Sequence, residues 1–410
     1  MVPDGWRRVP IKETCKSIID CVNKTAPTVN YKTPYKMIRT TNVRNGRVDL
    51  SDVRYVTEET YLNWVRRGQP QVGDLIFTRE APVGEVGVLE ENNGVFLGQR
   101  TMMYRADSIK SDNYFLFYSL QGDFCQKQID DFSNGGTVAH MRVPDCGEIL
   151  INLPPLPEQK KIAQILSTWD KAIATTEKLL ENSQKQKQAL MQQLLSGKKR
   201  FPGFNQKWST TTLGQIGEIK SAGVDKNILE GEKPVRLLNF TDVFNRSFIY
   251  SKELNHWVTA PDAKILSCGV EKGDVFFTPS SETRDEVGIP AVAAEDINDC
   301  CYSYHVVRFR LHENWDLNFK AYIFTTTEFR KQAYMLADGS GQRYVISQDG
   351  FRSIKITYPT YQEQILIGKA IKVAEDEVNS LKQKITYLKE EKKALMQQLL
   401  TGKKRVKLEG

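Results

Sequence analysis

ALMQQLLSGKKR, residues 189–200, returns as ALMQQLLTGKKR at 394–405, identical at eleven of twelve positions after a shift of 205 residues in a 410-residue chain. Chance does not produce such a match, and a period this long marks a tandem duplication, not a solenoid, whose units run to about 20–50 residues. The same shift pairs Glu158-Gln159 with Glu363-Gln364, Pro154 with Pro359, Phe124 with Phe329 and Asn113 with Asn318. Further upstream it drifts to about 200, pairing GDLIFT (73–78) with GDVFFT (273–278) and Val43 and Asn45 with Val243 and Asn245, while Trp6 pairs loosely with Trp208. The two halves therefore share one architecture, closely at their ends and distantly elsewhere.

The repeated motif closes a segment that opens at Glu158 or Glu363 and holds no proline, and no glycine but Gly368, until Gly197 or Gly402. Each segment is predicted to be one helix of nearly 40 residues, entered at Pro157 in the first copy and stopped by glycine at a C-cap. A 4-3 spacing places Ile162, Leu166, Trp169, Ile173, Leu180, Leu190 and Leu194 on one seam, with Thr176, Ser183 and Lys187 as polar interruptions. In the second helix the seam is Ile367, Ile371, Ala374, Val378, Leu381, Ile385, Leu388, Leu395 and Leu399, interrupted by Lys392. A seam sustained over five heptads predicts a left-handed coiled coil. The competing reading, two amphipathic helices lying on globular cores, calls for a wider apolar stripe. Two equivalent halves pack most economically about a pseudo-twofold axis, so the expected pairing is antiparallel, a dumbbell with one globular domain at each end.

Residues 1–150 and 206–355 have another texture. Glycine, proline and asparagine break short β-branched or aromatic runs such as GDLIFT, the stretch around Glu85–Leu89 and YHVVRFRL (304–311), which read as strands of a mixed sheet. NYFLFYSLQGDFCQKQI (113–129) and NFKAYIFTTTEFRKQAYML (318–336) read as helices. The fold class is α+β, with mixed α/β domains of about 150 residues and two long helices. The expected boundaries are 1–152 and 201–357 for the domains, 153–200 and 358–405 for the helices, and a tail at 406–410.

With 40% hydrophobic and 26% charged residues the chain can bury two or three cores. Its longest apolar runs span a few residues against the roughly 20 of a membrane helix, and no signal-like segment opens it. The seven scattered cysteines form no C-x-x-C pair, which suggests a reduced, cytoplasmic protein without structural zinc. The net charge of +7 hints at a polyanion, yet it is unevenly placed: zero over 1–150, +5 over 151–205, −2 over 206–355 and +4 over 356–410. The domains cannot bind a polyanion by bulk charge and must focus their arginines.

Catalytic signatures are absent: there is no P-loop, no G-x-G-x-x-G after a strand, no H-E-x-x-H and no G-x-S-x-G. NLPPL (152–156) is a poor match to the N-P-P-aromatic loop of adenine methyltransferases, and a turn before a helix explains it better. Asp74 and Asp274 suit turn hydrogen bonds more than metal ligation. Two loops look like contact surfaces. SNGGTVAHMR (133–142) and ADGSGQRYVISQ (337–348) set glycines, which let backbone amides approach a phosphate, beside His140, Arg142, Arg343 and Tyr344, and an arginine fork fits guanine O6 and N7. Arg39, Arg79 and Arg100 in the first half, and Asn239, Arg284 and His305 in the second, fall beside strand ends at matching or nearby repeat positions.

Two diverged domains, each followed by a near-identical long helix, resemble the specificity subunit of type I restriction-modification systems. LPPLPEQKKIAQIL (153–166), LMQQLLSGKKRFPGF (190–204), the tryptophan opening each domain and GDLIF/GDVFF carry the resemblance over essentially the whole chain. The second copy departs from it, since TYPTYQEQILIGKAI (357–371) lacks the Leu-Pro before its Glu-Gln. The resemblance implies that each domain reads one half of a split double-stranded DNA target. It also implies that the helices act as a ruler and dock two methyltransferase subunits, which a motor-nuclease restriction subunit joins. S-adenosylmethionine, ATP and magnesium are then expected on those partners, with no cofactor, metal or catalysis on this chain. A coiled-coil scaffold joining two protein-binding heads is the alternative, and a fused methyltransferase is disfavoured by the missing cofactor motifs.

Overall fold

In the computed structural model, residues 2–133, 139–244, 246–340 and 342–408 are described. Gly135, Gly136, Gly341 and Asn245, all singled out in the sequence, lie outside them. The chain forms two compact units, one from residues 1–177 with 383–410 and the other from 178–382. Each unit thus takes the start of one long helix and the end of the other.

In the first unit a six-stranded sheet runs in the order Cys15–Asp20, Thr101–Ala106, Leu75–Arg79, Val83–Val88, Arg47–Val48, Val43–Arg44. A smaller sheet sets Lys36–Ile38 between Arg54–Tyr55 (antiparallel) and Val95–Leu97 (parallel). The second unit has the same plan. Its larger sheet is Gly217–Lys220, Val307–Leu311, Val275–Phe277, Pro290–Ala293, Phe248–Ile249, and its smaller one is Trp257–Ala260, Lys233–Leu238, Ile297–Tyr302, Gly269–Val270. Parallel and antiparallel pairs coexist in both, as a mixed α/β domain requires. The predicted helical runs each split in two, the first after Gln121, at Gly122, and the second where Thr326 caps a new helix by accepting from the Phe329 amide.

The strand-entry turns show why GD recurs. Gly73 and Gly273 adopt φ of +92° and +84°, and the next aspartate closes the turn: Asp74 accepts from the Gln71 amide at 2.7 Å and Asp274 from the Glu271 amide at 2.9 Å. Both carboxylates also hold an arginine fork, Arg105 on Asp74 and Arg310 on Asp274. The turn reading stands, and the arginine is an addition the sequence did not announce.

The long helices span Leu156–Leu194 and Tyr361–Leu399, and Gly197 and Gly402, at φ of +69° and +68°, end their final turns. Every apolar seam position is buried or half-buried. Their surroundings change along the helix, however. Ile162 and Leu166 join the first unit's globular core together with Leu399, while Ile367 and Ile371 join the second unit's core together with Leu194. The helix ends are core-facing, as the amphipathic reading expects, and further along each unit's helix pair Lys187 reaches Glu375 and Lys392 reaches Asp170.

A ribbon leads into each helix, Arg7–Pro10 with Leu150–Leu153 and Ser209–Thr212 with Lys355–Tyr358. Gly368 is required by packing there: a Cβ at this position would lie 2.7 Å from the Phe319 backbone nitrogen and 2.3 Å from Asp316 Oδ1. Helix propensity alone would reward Gly368→Ala by about 1 kcal/mol. We expect the clash with backbone to win, with a net loss of about 1–3 kcal/mol in chemical denaturation. The equivalent first-helix residue, Ala163, is already accommodated in its core, so Ala163→Gly should cost only about 1 kcal/mol.

Candidate nucleic-acid interface

The element that holds each unit together is a buried carboxylate at the start of its long helix. Glu158 accepts from Trp6 Nε1 at 3.0 Å and takes a two-bond fork from Arg405 at 2.6 and 2.7 Å. Glu363 accepts from Trp208 Nε1 at 3.2 Å and takes the same fork from Arg200 at 2.6 and 2.7 Å. The glutamates are 3% and 1% exposed, so only a fully satisfied carboxylate is tolerable there. The final arginine of each GKKR therefore docks on the Glu-Gln of the other repeat, which gives the near-identity of the duplicated motif a physical reason. The neighbouring glutamines fasten the helix start to the domain: Gln159 accepts from the Asp112 amide, and Gln364 from the Asp316 amide.

These contacts fix the helix direction. In the first unit Asp170 receives Lys392 at 2.6 Å and Tyr118 Oη at 2.6 Å. In the second, Glu375 receives Lys187 at 2.8 Å, together with Tyr322 Oη. As one helix number rises the other falls, so the pairing within each unit is antiparallel. Lys187 and Lys392, the charged interruptions of the seam, thereby find counter-ions that specify register. Burial pushes the Glu375 carboxyl up, but the hydrogen bonds from Lys187 and Tyr322 outweigh it and hold the group below its ordinary range. Its contribution to stability is therefore present above the unfolded carboxylate range and fades as pH falls through the lowered value.

The candidate contact residues fall into separate groups. In the first unit Arg79, Arg100, His140 and Arg142 come together at one sheet end: Glu80 bridges to His140 and pairs with Arg100 at 3.0 Å, and the Arg79 carbonyl accepts from the Met141 amide. Arg79 itself is committed, with Nη2 3.0 Å from Asp20 and Nη1 3.2 Å from the Met141 carbonyl, so it acts as a clamp on this loop. Arg142 pairs with Asp145 but remains 74% exposed. Arg39 stands apart, beside the smaller sheet, with Nη2 on Asp52 and a buried Nε that has no partner.

In the second unit a ribbon of Ser280–Ser281, Arg343–Val345 and Asp338–Ser340 gathers three candidates. Arg284 lies 4.9 Å over the Tyr344 ring and 5.4 Å over that of Tyr334, and Arg343 donates to Ser280 Oγ at 2.9 and 3.0 Å. Asn239 and His305 line a cavity of about 430 Å³ together with Lys226 and His256. Burial first, then repulsion from Lys226 and Arg343, lowers the His305 pKa, which links the cavity electrostatically to the ribbon. Lys226 and His256 were not singled out in the sequence, since neither sits in a motif.

Among the described residues no group of three or more His, Cys, Asp or Glu is placed to hold a metal, and no helix is long and apolar enough to cross a membrane. All seven cysteines are free thiols.

A duplicated recognition module, two α+β units of one plan carrying different polar side chains and sharing a pair of long helices, is the class that this fold and these surfaces define. Residues 3–182 and 205–390 each match the family described as Type I restriction modification DNA specificity domain, and the chain belongs to that family. It is a type I specificity subunit with two DNA specificity domains, and as such a non-catalytic subunit. It is 28% identical to the type I restriction enzyme MjaVIII specificity subunit of Methanocaldococcus jannaschii over 342 residues, 76% of each protein. The crystal structure of the HsdS subunit from Thermoanaerobacter tengcongensis matches with a TM-score of 0.52 at 20% identity, covering 98% of both chains. That of the S subunit from M. genitalium matches with a TM-score of 0.59 at 16% identity, covering 97% of both.

Proposed function

We propose that the two units read different half-sites of one bipartite, asymmetric duplex, while the paired helices set the gap and dock two methyltransferase subunits. The observation carrying this reading is that equivalent places in the two units hold different side chains on one backbone plan. Arg39 and Asn239 each start a short helix after the central strand of the smaller sheet, and each backbone amide donates to the side chain three residues on. Such a pair calls for two unlike half-sites, whereas identical units would call for a palindrome.

Apolar side chains exposed on the long helices, Leu179, Leu366, Val373 and Tyr387, support protein docking there. The lysine-rich helices help hold phosphates nearby. S-adenosylmethionine, ATP and magnesium reside on the methyltransferase and restriction partners, which act in the cytoplasm.

Selection from a randomised duplex library, with a methyltransferase partner present, tests the reading. Two unlike half-sites separated by a fixed gap are expected. Replacing residues 1–150 by the same domain of a relative should change one half-site and leave the other, and the gap, as they were. A change in both half-sites would refute the modular assignment.

A further inference from the structure

We propose that Arg284 reads the O6/N7 edge of a guanine in the half-site taken by the second unit, an inference that rests on the function proposed above. Every other arginine of this unit donates to an oxygen of the protein. Arg284 is the exception: among the described residues its guanidinium makes no hydrogen bond or ion pair, although Glu282, Asp285 and Glu286 stand beside it in the chain. What holds it is aromatic, the Tyr344 ring at 4.9 Å and the Tyr334 ring at 5.4 Å. The three side chains come from a short helical turn, Arg284–Glu286, from the last turn of the helix Thr327–Leu336 and from the ribbon strand Arg343–Val345. The backbone under Arg284 is fastened as well. One turn before Tyr334, Arg330 donates to the Val287 carbonyl at 2.8 Å and to the Asp285 carbonyl, and Glu286 accepts from Ser281 Oγ at 2.7 Å.

Of the three guanidinium nitrogens, Nε alone is enclosed, and the two Nη atoms are not. The open end of the group is therefore its tip, which presents two N–H donors side by side in one plane. Guanine O6 and N7 accept such a pair in the major groove, whereas adenine sets an amine against one of the donors, cytosine offers only an amine and thymine a single carbonyl. A phosphate accepts the same fork. However, Glu282 and Asp285 are exposed on either side of Arg284, and their carboxylates repel a charged group but not a neutral base edge. Stacking on the tyrosines sets the plane of the fork before DNA arrives, so little side-chain freedom is lost on binding.

The test uses the full chain with a methyltransferase partner. Library selection defines the two half-sites, and each guanine of the second half-site, on either strand, is replaced in turn by 7-deazaguanine, which lacks N7, or by inosine, which keeps O6 and N7 and lacks only the minor-groove amine. At one position 7-deazaguanine should weaken binding by the unaltered protein at least about 5-fold, while inosine there is tolerated. Arg284→Ala should bind the guanine and 7-deazaguanine duplexes equally at that position and keep its discrimination at every other. Arg284→Gln, which retains length and packing on the tyrosines but not the paired Nη donors, should behave in the same way. If Arg284→Ala fails to fold, Arg284→Gln and the analogue series on the unaltered protein decide. Losses spread evenly over all duplexes with a shallower salt slope would mark a phosphate contact. That result, a 7-deazaguanine effect that neither variant abolishes, a loss with inosine in place of one with 7-deazaguanine, or a second half-site without guanine overturns the assignment while leaving bipartite recognition intact. Failure to select any duplex overturns both.

Discussion

Glu158→Ala should destabilise the first unit by about 3–5 kcal/mol, and Glu363→Ala the second by a similar amount. Each substitution strips a tryptophan N–H, buried Trp6 or half-buried Trp208, and an arginine fork of their acceptor in one step. The exposed pair Lys185–Glu181 shows the contrast, since its side chains are 70% and 63% exposed. Such a pair is worth at most about 0.5 kcal/mol, and Glu181→Ala should be nearly silent. Glu158→Gln retains an acceptor for Trp6 and should fall between. Denaturant titration with hydrogen exchange assigns each loss to its unit. A Glu158→Ala variant within about 0.5 kcal/mol of the parent would mean that the carboxylate does not secure the helix entry.

Two residues inserted after Ser183 and two after Leu388 should abolish binding to the split target, because each turns its seam by about 200° away from its partner. Seven residues at the same points add one heptad and keep the seam facing inward. The preferred gap between half-sites should then lengthen by at most about three base pairs, since about 10 Å of added helix meets a duplex rise of about 3.4 Å. Three pairs also rotate the duplex by roughly 100°, so affinity should fall unless the DNA twists to compensate. Library selection with randomised gap length measures the outcome. An unchanged gap after the heptad insertion would show that the helices do not set the spacing.

The helices were legible in the sequence because their information is local and periodic: Pro157, the seam and Gly197 all lie along one segment. The direction of pairing followed from the duplication, and Lys392 on Asp170 now accounts for it atom by atom. What the sequence withheld is long-range. Glu158 and Arg405 are 247 positions apart, and although the repeat aligned each with its twin, nothing in it said that each meets the opposite repeat. The contact residues were hardest to judge. Arg79 and Arg39 look alike in the sequence, yet Asp20 engages one while the other retains a buried, unpaired Nε. That distinction depends on neighbours brought in by folding.

The first unit is assembled from two distant stretches, and its Glu158 waits for Arg405, whereas the second unit lies within 178–382. During synthesis domains usually mature in order from the N-terminus. Here the order inverts: the second unit has all its residues before the first has its closing strap, and the first must persist with part of its core uncovered until the last helix emerges. Loop closure over nearly 250 positions is entropically slower than the 163 that separate Arg200 from Glu363. Maturation of the first unit thus becomes a late checkpoint, passed only by chains whose second repeat has been made.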